Sequence, residues 1–158
     1  MKKFNLRQQL ALLAQGWPRP SGELVFFVED DHVWLHKIKL PESARGTGTV
    51  RMAQFLALCD KAGLPVCLTA DPIEEDDISL GASSNPTTFD LVKWYMRFGF
   101  SPLGPSEDGF LMERSPTSGN QNDIISSYMK NKRKDISYEE FERRWPEREY
   151  RSFKSPSP

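Results

Sequence analysis

The chain has 158 residues and a formal net charge of −1, with 27% of its residues charged, which suits one domain with a core of its own. Such a balance gives no overall pull toward nucleic acid or an anionic membrane. No apolar run reaches membrane-spanning length, and Arg7, Gln8 and Gln9 interrupt any signal-type apolar stretch near the start. Cys59 and Cys67 lack metal-ligand spacing and sit in apolar periodic segments. The expectation is a cytoplasmic protein in a reducing compartment, with no membrane partner and no metal.

In chain order, the pattern predicts a helix over residues 6–15, with Asn5 as N-cap, Gln8 in capping-box position, an apolar stripe of Leu6, Leu10 and Leu13, and Gly16 and Pro18 ending it. A strand follows at 24–28, an acidic turn at 29–31 and a second strand at about 32–40, which reads as a hairpin. Through Gly46 and Gly48 the chain enters a second helix with Met52, Phe55, Leu56, Cys59 and Ala62 on one face, closed by Gly63. Residues 65–69 form a short apolar strand. Two strands joined through a helix of this length make a βαβ unit and should run parallel.

After Thr69 comes a long polar loop, residues 70–87, carrying Asp71, Glu74, Glu75, Asp76 and Asp77. A third helix starts at Thr87 or Thr88 and runs to Phe98; its charged residues Asp90, Lys93 and Arg97 fall along one stripe, and Gly99 stands in C′ position. Residues 100–103 and 109–113 look like a closing pair of strands. Beyond Arg114 the turn formers Ser115, Pro116, Ser118, Gly119 and Asn120 crowd together as a linker.

The glycine segment is where chemistry is written most clearly. Leu40-Pro41-Glu42-Ser43-Ala44-Arg45-Gly46-Thr47-Gly48-Thr49-Val50 leaves a strand and enters a helix. Glycine lets a ligand approach the main chain, and the unpaired N–H groups of a helix's first turn favour an anion such as a phosphate. Arg45 adds a fixed positive charge. A Gly-x-Gly alone is weak evidence; the strand before, the helix after and a second motif downstream raise it.

That second motif is Trp94-Tyr95-Met96-Arg97-Phe98-Gly99-Phe100. Strand, strand, Arg-Gly-x-Gly-x, helix, strand, and then a helix with this ending resemble the GNAT superfamily of acyl-CoA-dependent N-acyltransferases, over about residues 24–114. The resemblance implies an α/β fold, a mixed sheet flanked by helices, with acetyl-CoA as acyl donor and an amine of a protein or small molecule as acceptor. It assigns the pyrophosphate to Arg45, Gly46, Thr47, Gly48, Thr49 and Val50, and the acetyl and pantetheine portions to backbone groups of Ile38, Lys39 and Leu40. It gives Tyr95 the task of protonating the departing thiolate. This chain departs from the family pattern at Val50, where Gly or Ala is usual, at Trp94, where Leu is usual, and at Thr88, where many members carry a pantetheine-contacting Asn. The first clear strand begins at Leu24, where the family commonly places a strand and two helices beforehand.

The same chemistry can be reasoned from the residues. Transfer from a thioester to an amine needs a neutral amine, a polarised carbonyl and a route for protons. By the period of two, His32, Trp34, His36 and Ile38 share one face of their strand, and either histidine can take a proton near neutral pH. The resemblance favours His32, which by register against the glycines stands where several family members carry a catalytic Glu. Asp76 and Asp77, in a loop after a strand's carboxyl end, are placed to attract a cationic amine. A lone strand histidine is more often structural, an aromatic on a buried helix face is usually core, and an acidic run is usually solvated.

Residues 1–114 thus read as the acyl-CoA-binding domain and 115–158 as a polar linker with a C-terminal helical extension. The tail holds nine Lys/Arg and seven Asp/Glu; its basic run, residues 130–134, is the ordinary pattern of a solvated face, so nucleic acid is not expected. Ser137 and Glu140 form a capping box ahead of a helix over 136–153 bearing Tyr138, Phe141 and Trp145, which should dock on the domain, on a second copy or on a protein partner. The rival to an enzyme is a GNAT-like domain without catalysis that serves in binding or structure.

Overall fold

A computed structural model describes residues 5–16, 23–39, 47–70, 88–106 and 109–146. Five helices and five strands follow in the order α1 (Leu6–Gln15), β1 (Glu23–Val28), β2 (Val33–Lys39), α2 (Thr47–Lys61), β3 (Val66–Ala70), α3 (Thr88–Arg97), β4 (Ser101–Ser106), β5 (Gly109–Arg114), α4 (Gln121–Lys132) and α5 (Tyr138–Arg144). The strands form one mixed sheet in the order β1-β2-β3-β5-β4. β1 and β2 are an antiparallel hairpin, β2 and β3 are parallel, and β5 is antiparallel to both neighbours. The class is α/β, and the crossover through α2 makes the parallel pair that the sequence predicts.

Local chemistry explains the element ends. The Asn5 side chain accepts from the Gln8 backbone N–H and starts α1. Gly63 (φ 72°) closes α2 with its N–H on the Asp60 carbonyl and that of Leu64 on Cys59; Gly99 (φ 96°) does the same for α3, with the Phe100 N–H on Tyr95. At Gly109 (φ 150°) a Cβ would collide with the Ala70 carbonyl of the neighbouring strand, so only glycine fits.

One face of the sheet carries the core. Val33, Leu35, Val66, Leu68, Ala70, Phe110 and Met112 are buried against Leu10 of α1, Met52, Phe55 and Leu56 of α2, and Val92 of α3. Burying each large side chain contributes about 1.5–3 kcal/mol. The other face shows Phe27, half exposed, together with Trp34, Cys67, Thr69 and Leu111, all partly exposed.

The residues after Arg114 contain an unexpected helix. Asn120, read above as a turn former, is the N-cap of α4, its side chain accepting from the N–H groups of Asn122 and Asp123. α4 packs on α2 and α3 and buries Ile124 and Tyr128 in the common core. The aromatic tail segment is shorter than expected. α5 ends at Arg144, with Ser137 as N-cap, and residues 147–158 lie outside the described ones. It docks on its own chain: Phe141 is fully buried, 5.2 Å from the Phe89 ring and 5.6 Å from that of Phe110, and Trp145 lies 5.0 Å from Phe110.

Candidate functional site

β2 and β3 part company before either ends. Their parallel ladder holds Val33 to Val66, Trp34 to Cys67 and Leu35 to Leu68, although β2 continues to Lys39 and β3 to Ala70. Beyond Leu35, among the described residues, the β3-facing edge of β2 has no strand partner. A bulge marks the same place: Phe26 pairs with Leu35 but Val25 with Lys37, leaving His36 as the extra residue. Extended backbone beside a gap can offer N–H and C=O groups to an amide-containing ligand, as an added strand would.

The bulge also corrects one sequence reading. Past it the side-chain alternation reverses, so Ile38 lies opposite Leu24 and packs against the core instead of sharing a face with His32, Trp34 and His36. The roles expected of Ile38 and Lys39 are backbone roles and do not depend on which face their side chains take. Leu40, Arg45 and Gly46 lie outside the described residues, as do Asp71, Glu74, Glu75, Asp76, Asp77 and Thr87.

The glycine segment emerges as the start of α2, at Thr47. Gly48 and Thr49 are partly exposed, Val50 is 38% exposed, and no acidic residue occupies the helix's first turn. The first turn of a helix attracts an anion through its N–H groups, and a carboxylate within that turn would compete. The branched side chain of Val50 has an outlet toward solvent.

Tyr95 sits on the buried face of α3, at 7% exposure, with its ring 5.1 Å from Trp94 and 5.6 Å from Phe100. Burial raises its pKa well above that of a free phenol, so it keeps its proton through the physiological range. α3 lies against β3, β4 and β5. Thr88 opens α3 and is partly exposed.

The two histidines stand apart from the gap in different degrees. His36 is at the bulge, exposed, its ring 5.8 Å from that of Phe27. His32 precedes β2, at the opposite end from the glycine segment, with Nδ1 2.7 Å from Asp31 Oδ1. The hydrogen bond from His32 and its charge hold the Asp31 carboxyl below its ordinary pKa. Around this pair is an open depression of about 660 Å³ lined by Phe27, Glu29, Asp30, Asp31, His32 and Trp34. Aromatic faces beside carboxylates favour cations.

Neither cysteine is poised for chemistry. Burial pushes the Cys59 thiol up to about 12, and burial with the nearby Glu113 raises Cys67. Among the described residues no group of three or more His, Cys, Asp or Glu side chains could hold a metal ion, and no helix is long and apolar enough to cross a membrane.

No protein-family model matches the chain, and comparisons with curated proteins and with solved structures find no match either. Sequence reasoning missed the early end of the β2–β3 ladder. Its only signal was the weakly apolar stretch His36-Lys37 that interrupts the strand's alternation.

Proposed function

We propose that the chain is a GNAT-like N-acetyltransferase that moves an acetyl group from acetyl-CoA to an amine. The observation that carries this reading is the parting of parallel strands β2 and β3 beyond Leu35, next to a helix that opens through Gly48. Together they offer backbone that has no strand partner among the described residues to an extended pantetheine arm, and helix N–H groups to its pyrophosphate. In the reaction a neutral amine forms a C–N bond to the thioester carbonyl as the C–S bond breaks; the amine loses a proton and the thiolate gains one. Protonated Tyr95 supplies the second proton. His36, nearer the gap than His32, is the better placed of the two to accept the first, directly or through water.

One observation favours a rival reading as a CoA-binding protein without turnover: His32, the base preferred by register, lies at the end of β2 remote from the glycine segment. Release of free thiol from acetyl-CoA, followed with lysine-containing peptides and polyamines as acceptors, separates the two. Acceptor-dependent thiol release supports the enzyme. Acetyl-CoA binding without release supports the rival.

A further inference from the structure

We infer that the end of α4 is a docking surface for the phosphodiester backbone of a nucleic acid. Its basic run, Lys130-Asn131-Lys132-Arg133-Lys134, reads in the sequence as an ordinary solvated face. The placement of its neighbours changes that weighing. Lys130, Lys132, Arg133 and Lys134 are all exposed. Asn131 alone turns inward, its amide donating to the Arg97 carbonyl at 3.0 Å, which fixes the orientation of the run. Asp135, the carboxylate next in line to neutralise it, faces away and accepts twice from Arg97 Nε, at 3.0 and 3.2 Å. On α5, Glu140 takes Arg144 at 3.1 Å and Glu142 accepts from the Tyr138 hydroxyl at 3.0 Å; Glu139 remains on the exposed side. Four cations within five residues are thus presented on a held backbone while the adjacent acid is occupied elsewhere.

A helix C-terminus attracts cations for its own sake, and Lys130 and Lys132 in the last turn serve that end. Arg133 is already the C-cap and Lys134 lies beyond it, so half of the charge exceeds what the dipole uses. A membrane fits less well. Interfacial helices bury an apolar face in lipid, whereas α4 has given Ile124 and Tyr128 to the protein core and keeps only Met129 exposed beside the cations. Charge without an apolar face matches a phosphate backbone, bound without sequence preference.

The test is fluorescence anisotropy of the full chain with a labelled mixed-sequence DNA duplex of about two helical turns, and with the matching RNA duplex, between 50 and 200 mM KCl. Four phosphate contacts predict a slope of log affinity against log salt of about −3.6 on DNA, hence a loss of roughly a hundredfold over that range. Replacing all four cations (K130Q, K132Q, R133Q, K134Q) should lower affinity at least tenfold at 50 mM KCl with little change in melting temperature. The variant K130R, K132R, K134R should bind as the unmodified chain does, and R143Q with R144Q should change affinity less than twofold. Preference for one duplex identifies the natural source of the phosphates. No anisotropy change at 50 mM KCl with either duplex, or unaltered binding by the four-fold Gln variant, overturns the inference. So does binding to phosphatidylserine vesicles but to neither duplex.

Discussion

Arg114, the last residue of β5, and Asp60, near the end of α2, form an ion pair inside the protein, with side-chain exposures of 3% and 0%. Arg114 Nη1 donates to Asp60 Oδ1 at 2.7 Å and Nη2 to Oδ2 at 3.2 Å, while Nε donates to the Phe98 carbonyl at 2.7 Å. Thr117 completes the set, its hydroxyl donating to Asp60 Oδ2 at 2.7 Å. One guanidinium thereby joins the sheet, α2, the turn after α3 and the segment leading into α4.

Removing the carboxylate charge should be costly because it leaves Arg114 buried and unpaired. Asp60→Ala is expected to lose about 3–5 kcal/mol of stability in chemical denaturation. Burial alone would raise the Asp60 pKa, but the hydrogen bonds from Arg114 and Thr117 and the guanidinium charge outweigh it and hold the pKa below its ordinary 3.8. A depressed folded-state pKa contributes stability that is complete above the unfolded value and is lost as pH falls through the folded one. The melting temperature should therefore fall on acidification below about pH 4, and less steeply in Asp60→Asn, which has no carboxylate to titrate. Equal acid sensitivity in both proteins would assign the acid limb to other groups.

Docking of α5 rests on Phe141, packed between Phe89, Phe110 and Trp145. Phe141→Ala should cost about 3–5 kcal/mol, as for other fully buried aromatics, in the same cooperative transition as the rest of the chain. A separate, earlier transition would mark α5 as an independent arm.

Arg97 and Asp135 hold the same region through a less buried pair, at 17% and 19% side-chain exposure. Asp135→Asn should cost about 1.5–3 kcal/mol, the usual worth of hydrogen bonds to charged groups. Unchanged stability would show that the Asn131 and Tyr128 contacts to Arg97 suffice.

Much of this architecture was legible from residue order. Gly63 and Gly99 mark the ends of α2 and α3, Asn5 and Ser137 cap α1 and α5, and the helix between two apolar runs requires their parallel pairing. α4 was hidden because its sequence is largely polar: only Ile124 and Tyr128, four apart, are buried, and its stability comes from α2 and α3, which no local pattern records. The reversed facing of Ile38 was equally invisible, since a bulge depends on how β1 and β2 register against each other. Of the candidate site, the start of α2 at the glycines and the place of Tyr95 were readable. The gap between β2 and β3 is a property of two strands at once.

Tyr95→Phe removes only a hydroxyl, and the ring contacts to Trp94 and Phe100 remain. Folding and acetyl-CoA affinity should persist while turnover slows by about 10²–10⁴, the range for a lost general acid. His36→Ala and His32→Ala, compared over pH, should differ: the first is expected to remove the acidic limb of the rate profile, the second to leave it. Unchanged turnover in Tyr95→Phe would assign that residue to packing.

The most direct measurement is a calorimetric titration of the unmodified chain with acetyl-CoA and with CoA. Both should bind with similar constants, in roughly the 1 μM to 1 mM range usual for enzyme substrates, because the pyrophosphate and pantetheine supply the contacts they share. Gly48→Trp, which fills the approach to the first turn of α2, should reduce that binding at least tenfold, by 1.4 kcal/mol or more, without changing the fold. Absence of heat and of thermal shift for the unmodified chain would contradict both acyl-CoA binding and the acetyltransferase reading built on it.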